Sequence, residues 1–301
     1  MPLIPPVMPP AMVASIPPAM VQDGTNQATF FKDLEEWRKA RQARLNSESG
    51  WLTLVGLSWL TEGENAFGSD PSGPVPLPEK KAPAKVGLLV LDHGTVRVKA
   101  APGVGLNLNG KPVEEQVLKS DADGKPDVLT LGDLSLFVIK RGDRFGIRVK
   151  DSQSPVRLGF KGIESYPADP SYLVVAEFVP YAKPKDIEIP TVLGTSETMP
   201  APGYVKFKLH GKALTLEPVI EVPGDTQLFF VFRDKTSGKG TYPAGRFLYA
   251  ALPKDGKVIL DFNRAYNPPC AFTPFATCPL PPPQNRLPIE VKAGEKNYGH
   301  H

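Results

Sequence analysis

The segment 261–288, DFNRAYNPPCAFTPFATCPLPPPQNRLP, brings together the side chains of this chain that are best suited to chemistry. It contains both cysteines, three asparagines, two arginines and eight of the thirty-five prolines. Two other segments, 149–172 and 233–247, also place polar side chains after strongly apolar runs. Because rigid strands commonly present binding groups on the loops that follow them, the three segments together predict a pocket.

A small polar or anionic molecule is the ligand that these residue types favour. The planar guanidinium of arginine matches a carboxylate or phosphate, and tyrosine supplies a rigid apolar wall with a polar end. We therefore predict a binding pocket in the C-terminal half of the chain. Its candidate ligand-binding residues are Arg246, Tyr242, Arg264, Tyr266, Asn267, Asn263 and Arg286.

Hydrolysis is the reaction that the same segments best support if the pocket is catalytic. Acid/base chemistry by carboxylates needs no histidine, and the chain has only four. A serine and a cysteine are weaker candidates as nucleophiles, because the serine lies outside a Gly-x-Ser-x-Gly motif and the cysteine has no evident base. The candidate catalytic residues are Asp261, Asp234, Asp151, Ser237 and Cys270.

A purely structural role for these residues is the alternative. A buried proline-rich loop exposes many backbone amides and carbonyls that need hydrogen-bond partners, and Asp, Asn and Arg side chains commonly supply them. In that case a pair such as Arg246 with Asp261 holds the fold together and contacts no ligand. The sequence leaves both alternatives open and favours the binding site by a thin margin.

The two cysteines, Cys270 and Cys278, are close enough in sequence to form a disulfide in an oxidising compartment, or to remain as buried thiols. A metal site is not predicted, because two cysteines supply only half of a tetrahedral zinc shell and the only histidines are His93, His210, His300 and His301. No cofactor is indicated. We expect a cytoplasmic location, with a secreted or periplasmic one as the alternative.

Composition and charge exclude several classes of partner. The 301 residues are 41% hydrophobic and 22% charged, with a formal net charge of +3. No run of like charges is long enough to follow a phosphate backbone, so nucleic acid is not an expected partner. No apolar stretch approaches the roughly 20 residues that span a bilayer. Residues 1–28 are proline-rich and are predicted to form an N-terminal arm rather than a signal peptide.

Hydrophobic periodicity predicts an all-β, mostly antiparallel fold with one N-terminal helix. Apolar residues of 29–46 fall on one helical face, with acidic residues early and basic residues late, as the helix dipole favours. After this helix, about ten short runs rich in Val, Leu, Ile and Phe are separated by Gly, Pro, Asp and Asn. Turn sequences such as DHG, HGK and KDGK join neighbouring runs as hairpins.

The first half of the chain resembles a forkhead-associated (FHA) domain over residues 63–139. The resemblance rests on the Gly-Ser turn in GENAFGSD, the Asn-Gly turn in LNLNGKPV, and Leu-Gly-Asp before the strand LSLFVI. It implies a β-sandwich of about a hundred residues, and it predicts two domains: 29–140, the helix with the sandwich, and 141–299, a second β unit closed by the segment 261–288. A non-catalytic interaction module on the FHA-like half is therefore a second hypothesis for function.

The sequence also resembles the bacterial DUF1684 family, whose function is unknown. Two long motifs carry this resemblance, EEWRKARQARLNSESGWLTLVGLSWLTEGENAFGSD and DFNRAYNPPCAFTPFATCPLPPPQNRLPIEVKAGEK, together with DKTSGKGTYPAGRFL between them. The resemblance implies that these motifs belong to one unit, and it implies no activity.

We predict that the FHA-like half does not distinguish a phosphothreonine peptide from its unphosphorylated form. FHA domains bind phosphothreonine through an arginine after the glycine and a Ser-x-x-His element, whereas here Ser69 follows Gly68 and APAKVG contains neither serine nor histidine. Without these charge-assisted donors, affinities for the two forms should agree within about twofold. Calorimetry with paired peptide libraries measures this, and micromolar, phosphate-dependent binding would contradict it.

Overall fold

The computed structural model describes residues 24–299, so residues 1–23 of the predicted N-terminal arm lie outside the described residues. The described part begins with helix α1, Gly24–Leu45, whose buried face includes Phe30, Leu34 and Trp37. The helix starts five residues before the predicted position. No helix in the described part of the chain has the length and apolarity required to cross a membrane.

Strands follow α1, and the described chain divides into two units. Unit 1 comprises Leu45–Phe160 and Thr273–Ala276. It contains a four-residue helical turn, α2, at Pro155–Leu158. Its strands are β1 Leu54–Trp59, β2 Gly63–Gly68, β3 Val75–Pro76, β4 Gly87–Asp92, β5 Thr95–Ala100, β6 Asn107–Leu108, β7 Lys111–Pro112, β8 Glu115–Leu118, β9 Leu129–Leu131, β10 Leu134–Arg141 and β11 Arg144–Asp151.

Unit 1 is built from two sheets around one core. The six-stranded sheet has the order β1-β11-β10-β9-β6-β7, and the five-stranded sheet has the order β3-β2-β4-β5-β8. Both contribute to one cluster of buried apolar side chains, including Leu136 and Ile147 from the first sheet and Leu89 and Val98 from the second. Strand pairs are antiparallel except for β2 with β3. Along β4 and β5, buried residues alternate with more exposed ones, so that every second side chain faces this core.

Unit 2 contains the described residues up to Arg44, Lys161–Phe272, and the residues from Thr277 onward. Its strands are β12 Leu173–Pro190, β13 Ser196–Leu209, β14 Lys212–Leu216, β15 Gln227–Phe232, β16 Arg246–Ala251 and β17 Lys257–Asp261. A four-stranded sheet has the order β14-β13-β12-β17, and β15 pairs with β16 in a separate hairpin. Phe207, Phe230, Leu248 and Leu260 from these strands lie in one buried apolar cluster.

The predicted fold class is confirmed: the described chain is mostly β, with mainly antiparallel sheets and one N-terminal helix. The division into units differs from the predicted boundary at 140. Residue 140 lies inside β10, which pairs with β11 from Leu134 opposite Asp151 to Arg141 opposite Arg144. Cutting there would separate two hydrogen-bonded strands, so the boundary falls after residue 160 and α1 belongs with unit 2 up to Arg44.

Segment 261–288 consists of short helical turns and extended stretches, and most of its residues are buried. The backbone that follows also packs closely against it. Gly294 has a φ of 77°, and a Cβ added there would lie 2.3 Å from the carbonyl oxygen of Ala265. Only glycine combines that backbone conformation with so close an approach.

Candidate functional site

Arg246 is the first residue of β16, lies directly opposite Phe232, and is 1% exposed. Its guanidinium donates to Asp234 Oδ2 at 2.9 Å and to the carbonyl oxygens of Val291, at 2.9 Å, and Ala293. Asp234 follows β15 by two residues, so the register of β15 with β16 brings its carboxylate next to the guanidinium of Arg246. Arg246 thus pairs with Asp234 and not with Asp261.

The other carboxylate oxygen of Asp234 is also occupied by protein groups. Oδ1 accepts from the amide of Thr236 at 2.8 Å, from its hydroxyl at 2.6 Å and from the amide of Val291 at 3.1 Å. A carboxylate with this many donors and a buried cation beside it is a structural anchor. Ser237 lies in the same turn, where its hydroxyl accepts from the Asp234 amide at 3.3 Å.

Asp261, at the end of β17, forms a second buried ion pair. Its Oδ2 lies 3.1 Å from Nε of Arg264, and Asn263 donates its backbone and side-chain N–H groups to Oδ1 at 3.1 and 3.0 Å. Burial raises the pKa of Asp261, and Arg264 opposes this shift. Asn263 also bonds both the amide and the carbonyl of Asp169, at 2.9 Å each. These three predicted site residues hold the chain turn that follows β17.

Arg41 of α1 forms a third pair, which the sequence did not predict. Its Nε donates to Glu295 at 3.1 Å, its Nη2 donates to the carbonyl of Asn267 at 3.0 Å, and its guanidinium lies 4.7 Å from the centre of the Tyr266 ring. The backbone N–H of Asn267 donates to the second carboxylate oxygen of Glu295 at 2.7 Å. Burial raises the pKa of Tyr266 well above its usual value. Tyr266 and Asn267 therefore belong to the surface that Arg41 of α1 contacts.

The two cysteines form a disulfide, so Cys270 carries no free thiol in this state. Tyr242, which is half-buried, donates its hydroxyl to the Cys270 carbonyl at 3.0 Å. Burial raises the pKa of Tyr242. The last candidate acid, Asp151, ends β11 in unit 1, where it accepts from Lys81 at 3.0 Å and from the Gln153 amide at 2.8 Å. Asp151 therefore belongs to unit 1, whereas Asp234 and Asp261 belong to unit 2.

Arg286 is the predicted site residue that lies on an open surface. It lines a groove of about 870 Å³ on unit 2. Lys206 and Lys208 are exposed on the neighbouring strand β13 and line the same groove, and the carboxylate that lines it is Glu177. The remaining lining residues are largely apolar or small: Val174, Val175, Phe207, Ala213, Leu214, Thr215, Gln284, Leu287 and Pro288.

Strand register explains why the cations gather there. β13 lies between β12 and β14, so that Lys206 has Glu177 on one side and Thr215 on the other, and Lys208 has Ala213 opposite it. Successive side chains of a strand point to opposite faces, which puts both lysines on one face while Phe207 between them is buried. Beyond the groove, Glu217 is bonded by Tyr181 at 2.5 Å and by Gln284 at 2.6 Å.

Sequence reasoning predicted Arg286 and missed the two lysines. The signal for the lysines is the alternation in YVKFKLHGKALTL, which also predicts a strand and a hairpin.

A cluster in unit 1 was likewise not predicted from the sequence. Glu62, Asp92 and His93 lie with their donor atoms within 4.8 Å of one another. All three side chains are exposed, and Glu62 already accepts the amide of His93 at 2.8 Å.

Comparison with known families identifies residues 158–296 with a family described as proteins of unknown function, DUF1684. Residues 158–296 therefore match the DUF1684 family, over somewhat less than half of the 301 residues. Motifs DKTSGKGTYPAGRFL and DFNRAYNPPC lie inside the matched range, whereas α1 lies before it. No curated protein matches the sequence significantly.

Solved structures show two kinds of similarity. An uncharacterized protein of Haloarcula marismortui, determined by solution NMR, is 31% identical, with a TM-score of 0.40, over 46% of this chain and 78% of that one. The FHA domain of FhaA, solved in complex with the intracellular domain of Rv3910, is 22% identical, with a TM-score of 0.23, over 31% of this chain and 97% of that one. A second FHA structure, from a study of phosphothreonine-dependent interactions, is also 22% identical, with a TM-score of 0.23, over 31% of this chain and 92% of that one.

We predict that Arg246→Ala destabilises the protein by about 3–5 kcal/mol, because it leaves the buried carboxylate of Asp234 without its cation. Urea unfolding followed by far-UV circular dichroism measures the loss. The matched control is Arg286→Ala, which removes an exposed arginine from the same unit and should change stability by less than about 0.5 kcal/mol. Equal effects of the two substitutions would contradict the assignment of Arg246 to structure.

Proposed function

We propose that unit 2 binds an anionic ligand with an apolar portion in the groove lined by Arg286, Lys206 and Lys208. The observation that carries this proposal is the combination of three cations and one carboxylate on a largely apolar groove of about 870 Å³. Pockets of roughly 300–1,000 Å³ are typical of small-molecule sites, so the space suits such a ligand.

Charge supports an anion over a neutral or cationic ligand. Lys206 and Lys208 lie two residues apart on one strand face, so their fields add along the groove. Arg286 contributes a planar guanidinium that binds a carboxylate or phosphate with two parallel hydrogen bonds. The apolar residues Val175, Leu214 and Leu287 provide area for the rest of the ligand.

Binding without catalysis is the function favoured by the positions of the candidate acids. Asp234 and Asp261 are buried in ion pairs with Arg246 and Arg264, and neither is among the residues that line the groove in the described chain. A general acid or base must come within hydrogen-bond reach of the reacting group. Glu177 is the one carboxylate among the residues that line the groove, so a pair of acids is not available there. The interaction module on the FHA-like half stays a prediction.

The test uses anilinonaphthalenesulfonate, a fluorescent probe that combines a sulfonate with apolar rings. We predict one saturable site whose affinity falls with added NaCl, because exposed charges are screened by salt. Arg286→Glu and Lys208→Glu should each weaken binding about tenfold, which corresponds to about 1.4 kcal/mol.

Lys254→Glu serves as the matched control, since Lys254 is an exposed lysine of the same unit outside the groove lining. It makes the same change in net charge and should leave probe affinity within about twofold. If all three charge reversals weaken probe binding equally, the effect reflects net charge alone. That result would overturn the proposal.

A further inference from the structure

β14, which forms one wall of the groove, is an edge strand. In the sheet order β14-β13-β12-β17 it has a strand neighbour, β13, on one side only, as far as the described residues show. An edge strand presents backbone N–H and C=O groups that are available for pairing with another segment of polypeptide. Residues 213–215 of this strand line the groove, so these groups bear directly on what the groove binds.

The hairpin turn determines which backbone groups of β14 point outward. His210 and Gly211 have φ values of 49° and 77°, and Leu209 lies opposite Lys212 across them. Such a two-residue turn is closed by a pair that exchanges both hydrogen bonds. In an antiparallel ladder, hydrogen-bonded and non-hydrogen-bonded pairs then alternate. The N–H and C=O groups of Leu214 therefore face β13, and those of Ala213 and Thr215 face the free edge.

The second wall of the groove is the segment 284–288, and it meets the first wall at one end. Asn285 accepts the amide of Glu217 at 2.8 Å and donates to the Glu217 carbonyl at 2.8 Å. Glu217 directly follows β14, so these two bonds tie the segment to the end of the strand. Among the described residues, the outward backbone groups of Ala213 and Thr215 have no backbone partner and are left for a ligand to pair with, and Arg286 lines the groove beside them.

We propose that the ligand of this groove is an extended acidic segment of polypeptide that adds to β14 as an antiparallel strand. This inference rests on the proposed function and specifies its ligand. Main-chain hydrogen bonds to Ala213 and Thr215 would provide affinity, as in other cases of strand addition, and the side chains would provide specificity.

Strand pairing also specifies the side-chain pattern of the ligand. Residues directly opposite one another in a sheet lie on the same face. Positions opposite Ala213 and Thr215 share the face of Lys208 and Lys206, and the small side chain of Ala213 leaves room for the lysine to reach across. Those positions take Glu or Asp. The position between them lies opposite Leu214, on the face of the buried Phe207, and takes an apolar residue.

The experiment uses the full-length protein and a fluorescein-labelled peptide of alternating sequence, Glu-Val-Glu-Val-Glu, with fluorescence polarisation as the readout. We expect saturable binding that is at least tenfold tighter than that of the permuted peptide Glu-Glu-Glu-Val-Val. The two peptides have the same charge and composition, so the difference isolates the strand pattern. Lys208→Glu should weaken binding of the alternating peptide at least tenfold.

Backbone methylation tests the strand directly. In antiparallel pairing with Ala213 and Thr215, the glutamate N–H groups face β14 and the valine N–H groups face away. A peptide methylated on its glutamate nitrogens should bind at least tenfold more weakly, whereas methylation of the valine nitrogens should leave the affinity within about threefold. Thr215→Pro should reproduce the loss from the protein side, because it removes an outward N–H and spares the bonds to β13.

The outcomes separate this inference from the proposed function. Equal affinity for the alternating and permuted peptides, or equal effects of the two methylations, would overturn strand addition. Absence of peptide binding would also overturn it, and anilinonaphthalenesulfonate binding that still depends on Arg286 and Lys208 would show that the groove binds a small anion instead. Loss of that dependence as well would overturn both proposals.

Discussion

The ion pair between Arg246 and Asp234 is the interaction on which the arrangement of unit 2 depends. Both side chains are almost completely buried, and the guanidinium also donates hydrogen bonds to the carbonyl oxygens of Val291 and Ala293. An isolated charge in this environment would cost several kcal/mol, so neither partner tolerates removal of the other. The pair therefore fixes the strand hairpin β15–β16 to the C-terminal residues near 291–293, a segment that has no strand of its own.

Two further buried pairs extend the same principle along the chain. Arg264 with Asp261 holds the turn after β17, and Arg41 with Glu295 holds α1. Proline-rich, aperiodic backbone cannot satisfy its own polar groups through regular hydrogen bonding, which explains why these side chains are concentrated there. Arg246 and Arg264 are held in buried ion pairs, and Arg286 is the arginine predicted as ligand-binding that is exposed in the described chain. Ligand binding is therefore proposed at the groove on the sheet and not at the buried cluster.

The elements of the fold were predictable from the sequence because their signals are local. Periodicity identified α1 and the longer strands, and the turn sequences identified the hairpins. The DUF1684 resemblance was likewise confirmed, over residues 158–296. Very short strands such as β6 and β7, with two residues each, carry no periodicity and were missed.

The partners of buried charges were not predictable, because they depend on register and on contacts between residues distant in sequence. Arg41 and Glu295 are separated by 254 positions, and nothing in either local sequence indicates the other. The predicted pairing of Arg246 with Asp261 was wrong, because the register of β15 with β16 places Asp234 beside Arg246. The groove was missed for a related reason: lysines at alternate positions of a strand are typical of any solvent-facing surface, and only the edge position of β14 distinguishes this one.

A double-mutant cycle on Arg246→Met and Asp234→Leu, measured by urea unfolding, tests the central claim most directly. If the pair is a mutual structural requirement, each single substitution leaves an uncompensated buried charge, and the double variant relieves it. We predict a coupling energy of at least about 2 kcal/mol, with the double variant no less stable than either single variant. Effects that add to within about 0.5 kcal/mol would show that Arg246 and Asp234 act independently, and would contradict the account.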